Sequence, residues 1–429
     1  MRIAYISAGA GGMYCGSCIH DNTLAAALQQ KGHQVALIPT YTPLRTDETN
    51  VSLGRVFYGG LNVYLQEKFK IFRRTPWRVD DFLNQTFLLK WISKLGSSTN
   101  ARDLGTLTVS VLKGEHGHQK KELAKLVTWL KNDYQPDLVQ LTNSMFLGMA
   151  REIKRQLQVP VLCAVQGEDL FLEDLIEPYQ EEARLLLQEK AQNVDAFIAT
   201  SDYYAGFMAE FLSVQKQKMH TVKLGINLDG LENGRINVQS DSFIVGYLAR
   251  ICPEKGLHLL VQACYRLWEK LGRDKIQLKV AGYLSKRDGL YFNDIKKQIA
   301  ERGFGGSFEY VGEVDRLSKI IFLSSLHVLS VPTTYQEAKG LFVLEALANG
   351  VPVVQPRHGS FPEIVAATGG GILVAPHSPH SLAHGILQLL EDADLRKKLG
   401  QKGQAAVQKS FSSQAMAEAT LKVYEKYVK

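Results

Sequence analysis

The chain has 429 residues, 45% of them apolar and 22% charged, with a formal net charge of +7 and five cysteines. That length implies about two domains of roughly 200 residues, each able to bury its own core. No apolar run reaches the ~18 residues of a membrane span, an odd cysteine count argues against a disulfide framework, and so mild a charge, without basic segments interleaved with stacking aromatics, gives no reason to expect nucleic acid. The opening MRIAYISAGAGG runs into a strand and a glycine loop rather than a signal pattern, so the cytoplasm is the expected compartment. The charge remains compatible with polyanionic small ligands or with peripheral contact to an anionic membrane surface.

Residues 2–7 read as a buried strand, 8–16 as a loop, 22–31 as a helix stopped by Gly32, and 33–40 as a second strand. This βαβ unit implies a parallel sheet. The loop holds Gly9, Gly11 and Gly12 but lacks the third glycine of a dinucleotide fingerprint, and no acidic residue closes the next strand. Its glycines read instead as letting the backbone approach a ligand. The same loop carries Cys15-Gly16-Ser17-Cys18, with His20 nearby. A redox pair, half a zinc site, and two small residues in a tight loop all remain open, although no second C-x-x-C completes a zinc site.

Residues 55–65 read as a hairpin turning at Gly59-Gly60. The following stretch, 66–96, mixes basic and aromatic residues before a leucine-rich helix; it reads as an acceptor-cleft lining, a lipid-facing element or a packed insertion. Residues 106–112 read as a strand, and His116 and His118 as members of a solvated loop. Leu123, Leu126, Val127 and Leu130 repeat at helical spacing. A strand at 137–141, a helix at 143–157 and a strand at 159–165 lead to Gln166-Gly167-Glu168-Asp169. A helix over 173–192, a strand over 195–200, Ser201 as a helix cap and a strand over 220–224 complete a first domain, 1–227. The polar stretch 228–242 is the linker candidate.

The second domain, 243–411, opens on a strand at 243–249. Arg250 to Gly256 follow, and a helix begins at Leu257. Arg250 offers a planar fork and Lys255 a mobile point charge; at a strand's end before a helix, the two can hold a diphosphate from both sides. Strands at 276–281 and 308–311 end in Gly282 and Gly312. A strand at 326–331, a polar loop and a helix at 341–348 then organise the rest. Glu337 lies in the loop and Glu345 one turn inside the helix. Between them the helix N-terminus offers backbone N–H groups and a positive dipole end near Gly340 and Leu341, which suits a phosphate. Carboxylates on either side can accept hydrogen bonds from hydroxyls attached to that phosphate, which is the shape of a sugar nucleotide. Asp392-Ala393-Asp394 reads as a solvated turn between two helices, and 412–429 as a final helix. No phosphate loop, H-E-x-x-H helix or nucleophilic-serine elbow occurs.

The spacing of Glu337 and Glu345, with Val351-Pro352-Val353-Val354 and Pro362-Glu363-Ile364-Val365 after them, resembles family four of the glycosyltransferases. So does the order arginine, proline, glutamate, lysine, glycine over 250–256, while the stretch after Arg55 is similar to the acceptor-domain insertion of bacterial glycogen and starch synthases. The resemblance implies an α/β GT-B fold: two Rossmann-like domains facing a central cleft, with the last helix crossing back to the first domain. It implies a retaining transfer from a nucleotide-diphosphate sugar to a hydroxyl acceptor, with no cofactor and no required metal. Arg250, Lys255 and Glu337 would then be catalytic, Glu345, Gly340, Leu341, Gly12 and Gly312 would bind the donor, and Gln166 would lie on the acceptor side. Where the family often has histidine this chain has Gln166, which can hydrogen-bond but not carry a proton at neutral pH. A phosphorylase, a sugar-nucleotide epimerase and a binding protein without turnover are the alternatives. Sugar, base, acceptor and oligomeric state are not legible.

Overall fold

The structure is a computed structural model that describes residues 1–9, 14–73, 101–231 and 242–428. Gly11 and Gly12, most of the 66–96 stretch and most of 228–242 lie outside the described residues. The chain divides into two compact units, Met1–Lys223 with Met416–Lys429, and Leu224–Ala415.

In the first unit the strands are β1 (Arg2–Ala8), β2 (Gln34–Tyr41), β3 (Phe57–Gly59), β4 (Leu138–Leu141), β5 (Val161–Val165), β6 (Ala196–Ala199) and β7 (Met219–Thr221). They form one sheet in the order β3-β2-β1-β4-β5-β6-β7, parallel at each pairing. Helices cover parallel strands on both faces, which is why β4 and β5 are apolar almost throughout and buried at every position. From β3 the chain returns to the other side of β1, so the order reverses between β1 and β4. Ligands of open parallel sheets lie outside the strand ends at such a point. The final helix, Ser413–Tyr424, places Met416, Ala417, Val423 and Tyr424 in this unit's core, and the Tyr424 hydroxyl donates to the Gln140 side chain on β4.

The second unit repeats the plan. Its strands are β8 (Phe243–Leu248), β9 (Ile276–Ala281), β10 (Phe308–Gly312), β11 (Val328–Leu329), β12 (Val353–Pro356) and β13 (Gly371–Val374). Their order is β10-β9-β8-β11-β12-β13, again parallel throughout. The reversal falls between β8 and β11, registered by Val328 opposite Val245 and Leu329 opposite Gly246. Tyr247, Leu260, Trp268, Val343, Leu347 and Ile386 belong to its core, where the Trp268 indole N–H donates to the Ile276 carbonyl at 2.9 Å.

Four expected elements differ. The first helix begins at Gly16 rather than 22 and runs Gly16–Gln30, so the Cys15–Cys18 segment starts a helix and is no loop. The hairpin at Gly59-Gly60 is a strand followed by a helix, Gly60–Lys68: β3 pairs with β2, not with the segment after it. Residues 106–112 belong to a helix, Ala101–Leu112, in spite of their β-branched composition. Thr108 bonds its hydroxyl back to the Leu104 carbonyl at 2.8 Å, and a side chain on Gly105 would strike the Tyr179 ring on a neighbouring helix. Close helix–helix packing overrides the local preference. The helix expected over 173–192 runs only Tyr179–Ala191, with Pro178 at its N-cap, and a separate short helix, Asp169–Glu173, precedes it.

Candidate active site

Beyond the carboxyl ends of β8 and β11 two turns are tied together. The first runs from Arg250 through a short 3-10 turn, Pro253–Lys255, to the helix Leu257–Leu271. Gly256 sits there at φ +72°, and a Cβ on it would lie 1.9 Å from the Pro332 carbonyl oxygen, so only glycine lets the turn pass under the end of β11. The Thr334 N–H donates to the Glu254 carbonyl at 2.9 Å and joins the second turn to the first. That second turn leads to the helix Leu341–Ala348, preceded by Gly340 at φ +69°.

This arrangement brings Lys255 and Glu337 together. Lys255 Nζ lies 2.7 Å from Glu337 Oε2 and also contacts the Tyr335 hydroxyl. Tyr335 donates to the same carboxylate oxygen at 2.7 Å. Glu337 Oε1 receives longer bonds from the Lys339 and Gly340 N–H groups, at 3.3 and 3.4 Å. The carboxylate, only 6% exposed, is thus held by the two N–H groups that lead into the helix, and no side chain caps the helix itself. Burial would raise the Glu337 carboxyl. The Lys255 charge and its hydrogen bond outweigh burial, with help from Tyr335 and the Lys339 N–H, and hold it at about 2. Burial and the adjacent carboxylate push the Tyr335 phenol well up, which keeps it a donor.

Arg250 is exposed at the rim and, among the described residues, has no carboxylate within ion-pair distance. Glu345 is not open either: Lys319, from the helix Arg316–Ser324, reaches its Oε1 at 2.5 Å. Gly312 ends β10 at φ +92°, and its carbonyl accepts from the Gly282 N–H at 2.8 Å. Behind the Glu337 turn, Gly359 packs so closely that a Cβ would meet the Glu337 backbone at 2.5 Å. Three buried atoms on the segment from β12 onward, Gln355 Nε2, His358 Nδ1 and Ser360 Oγ, have no hydrogen-bond partner. The sequence reading missed Tyr335, Lys319 and His358. Tyr335, two residues before Glu337, was the detectable one.

The first unit has a polar centre of its own at the β1/β4 reversal. Asp21, on the helix Gly16–Gln30, is wholly buried. It accepts from the Tyr5 hydroxyl at 2.7 Å, Ser7 at 2.5 Å, Thr142 at 2.6 Å and the Gln166 carboxamide at 2.8 Å, with His20 Nδ1 at 3.2 Å. Burial opposes its ionisation, yet the bonds from His20, Ser7 and Thr142 hold the carboxyl below its ordinary value. Gln166 is 5% exposed and its NH₂ also bonds the Thr142 carbonyl at 2.9 Å, so its amide serves as an internal tie. Glu168 accepts from the Ser144 and Gln166 N–H groups at 2.8 and 2.6 Å; burial is the larger effect and raises its carboxyl. Sequence reasoning passed over Asp21. Its signal was the polar run His20-Asp21-Asn22-Thr23 in a helix whose neighbours are apolar.

His118 pairs with Glu67 at 2.9 Å, and His116 lies against Arg151. Asp392 caps the helix Ala393–Ser410 through the Leu395 N–H at 2.8 Å and stays exposed. Among the described residues no cluster of three or more histidine, cysteine or carboxylate side chains could hold a metal ion, and no helix is long and apolar enough to cross a membrane.

Two parallel α/β sheets, each with a reversal point, define the GT-B glycosyltransferase architecture. It is matched over 99% of this chain by sucrose-phosphate synthase of Thermosynechococcus elongatus (98% of that chain, TM-score 0.72, 20% identity). The Anabaena protein HepE in complex with UDP and glucose matches over 99% of both chains (TM-score 0.71, 15% identity). Residues 232–406 match the model of glycosyl transferases group 1, and residues 22–225 that of the glycosyl transferase 4-like domain. The chain belongs to the group 1, family-four glycosyltransferases. D-inositol 3-phosphate glycosyltransferase of Corynebacterium jeikeium is 26% identical over 420 residues, 91% of this chain and 96% of that one. Two further curated relatives align over 63% and 46% of their own length.

Proposed function

We propose that the protein is a retaining glycosyltransferase that moves a sugar from a nucleotide-diphosphate donor to a hydroxyl acceptor without a metal ion. The observation that carries this is the joining of Lys255, Glu337 and the start of the helix Leu341–Ala348 at the β8/β11 reversal, with Arg250 at its rim. The chemical demand is to stabilise negative charge as the diphosphate leaves. Arg250, Lys255 and the N–H groups at Gly340 and Leu341 would supply that stabilisation in place of a divalent ion. Glu337 faces the donor sugar and the positive charge that develops at its anomeric carbon. Glu345 accepts from the ribose hydroxyls, and Gly312 lies near the base. Gln166 holds Asp21 in place on the acceptor side and carries no proton.

The deciding experiment feeds UDP-, GDP-, ADP- and TDP-sugars with candidate acceptors and follows free nucleoside diphosphate. HepE structures with UDP and with UDP-glucose make the uridine series the first to test. Release that requires acceptor is expected; conversion of donor without acceptor would favour an epimerase, and dependence on inorganic phosphate a phosphorylase. Ligand-dependent stabilisation of about 2.7 kcal/mol at 100-fold saturation without product would leave only a binding protein. Chelation should leave turnover unchanged, and loss that added metal restores would overturn the metal-free reading.

Arg250→Ala should lower kcat about 100-fold, because a guanidinium with no carboxylate within ion-pair distance among the described residues acts on the leaving group more than on the fold. Glu345→Ala should raise the donor KM with little change in kcat, since ribose contacts are alike in ground and transition states. The same substitution releases Lys319, so Lys319→Ala serves as its control. Unchanged donor affinity in Glu345→Ala would remove the ribose assignment.

A further inference from the structure

The sugar-transfer reading leaves Cys15 and Cys18 unused, and the structure alters their meaning. Both are thiols in this structure. In a loop, residues three apart can be up to ~10 Å from one another. Here Cys15 is the N-cap of the helix Gly16–Gln30: its backbone is extended (φ −123°, ψ 130°), and its carbonyl already accepts the Ile19 N–H at 3.0 Å. Cys18 is then the third helical residue. An N-cap side chain leans over that residue, as in a capping box. Helix geometry sets their Cα atoms about 5 Å apart, inside the roughly 4.4–6.8 Å that a disulfide spans. Exposure divides the two by role. Cys15 is partly accessible, whereas Cys18 is 1% exposed.

We propose that Cys15 and Cys18 form a reversible dithiol–disulfide site that exchanges with low-molecular-weight disulfides. The Cys15 sulfur, as thiolate, attacks one sulfur of the disulfide; a Cys15 mixed disulfide forms and one thiolate leaves. Cys18 gives its proton to solvent and attacks the Cys15 sulfur, and the second thiolate departs. Two electrons pass from the cysteine pair to the co-reactant, which is released as two thiols. The partly accessible Cys15 meets the co-reactant and the buried Cys18 resolves the adduct. In the reduced form Cys18 Sγ donates to the Ala8 carbonyl at 3.1 Å, at the last residue of β1. Oxidation removes that hydrogen and so releases the helix start from the strand end. Three residues on, Asp21 still holds Ser7 of β1, so the change is confined to the first turn. This inference stands apart from the sugar-transfer reading.

The 429-residue protein is equilibrated with oxidised glutathione, unfolded in urea, blocked with iodoacetamide, digested and weighed by mass spectrometry. The peptide holding both residues should be two hydrogens lighter and unalkylated, and dithiothreitol should restore both alkylation sites. Cys18→Ser should stop at a glutathione adduct on Cys15, and Cys15→Ser should leave Cys18 without an adduct. Cys163, Cys252 and Cys264, each 2% exposed or less, are internal controls that take no glutathione in the folded protein and are alkylated once it is unfolded. A wild-type protein that keeps glutathione on Cys15, or in which both thiols remain alkylatable, overturns the proposal whether or not the variants fold.

Discussion

Lys255→Met should reduce turnover about 100-fold or more and should also expose a pH-dependent share of the second unit's stability. The two effects have one origin. Glu337 is buried, and Lys255 is its charged partner at 2.7 Å. Its carboxyl is depressed from the ordinary 4.5 to about 2. A carboxyl lowered on folding stabilises the native state above its unfolded value and loses that contribution as pH falls through the folded one. The window is therefore between about pH 4.5 and 2, and the linked contribution is on the order of 3 kcal/mol. Without Lys255, the Tyr335 hydroxyl and two backbone N–H groups still reach the carboxylate, but an uncompensated buried charge remains, a situation that costs roughly 3–5 kcal/mol when nothing else helps. We expect a loss near the lower end of that range at pH 7, measured by urea denaturation. The gap between wild type and variant should narrow as acid neutralises Glu337. Lys255→Met with Glu337→Gln should recover most of the stability and none of the turnover. An equal penalty at pH 7 and at pH 3 would show that the ion pair is not its source. Near-normal turnover would remove Lys255 from the leaving-group model.

Asp21→Ala should cost the first unit about 3–5 kcal/mol. The substitution deletes one carboxylate that accepts from the hydroxyls of Tyr5, Ser7 and Thr142, and it leaves the Gln166 amide only its bonds to Thr142. Asp21→Asn keeps one accepting oxygen but turns an NH₂ toward donors, so a smaller loss is expected. Gln166→Ala removes a single donor and should cost about 1–2 kcal/mol. With two units the unfolding need not be two-state, so the test is which transition moves. A loss below about 1 kcal/mol for Asp21→Ala would show that these groups find water instead. The cluster would then be solvated, and Gln166 could not be its tie.

The second unit is largely legible in the sequence. The helix Leu341–Ala348 and strand β9 have the bounds their patterns announce, because apolar runs there are cut off by Gly340, Asn349-Gly350 and Gly282. Punctuation of this kind acts through backbone conformation at single residues, so it survives translation from pattern to structure. The first unit was harder. The Thr106 to Leu112 run has the composition of a strand, and only its packing against the helix Tyr179–Ala191 makes it helical. Residues 22–31 were placed in a helix that the structure ends at Gln30, and its first six residues were missed. No serine, threonine or aspartate marks the N-cap; a cysteine stands there, and it makes no capping bond.

The spacing along the chain was enough to put Glu337 before a helix and Glu345 one turn within it, since both positions follow from local backbone geometry. What those carboxylates hold was not readable from spacing. Lys255 is 82 positions from Glu337, and Lys319 is 26 from Glu345. The first pairing arises because β8 and β11, far apart in sequence, lie side by side and bring their terminal turns into contact. Gln166 meets Asp21 across 145 residues for a similar reason, through β1, β4 and β5. Hydrogen bonds and charges act over a few ångströms, so their partners are settled by which strands become neighbours, and a linear pattern carries that information only in its folded form.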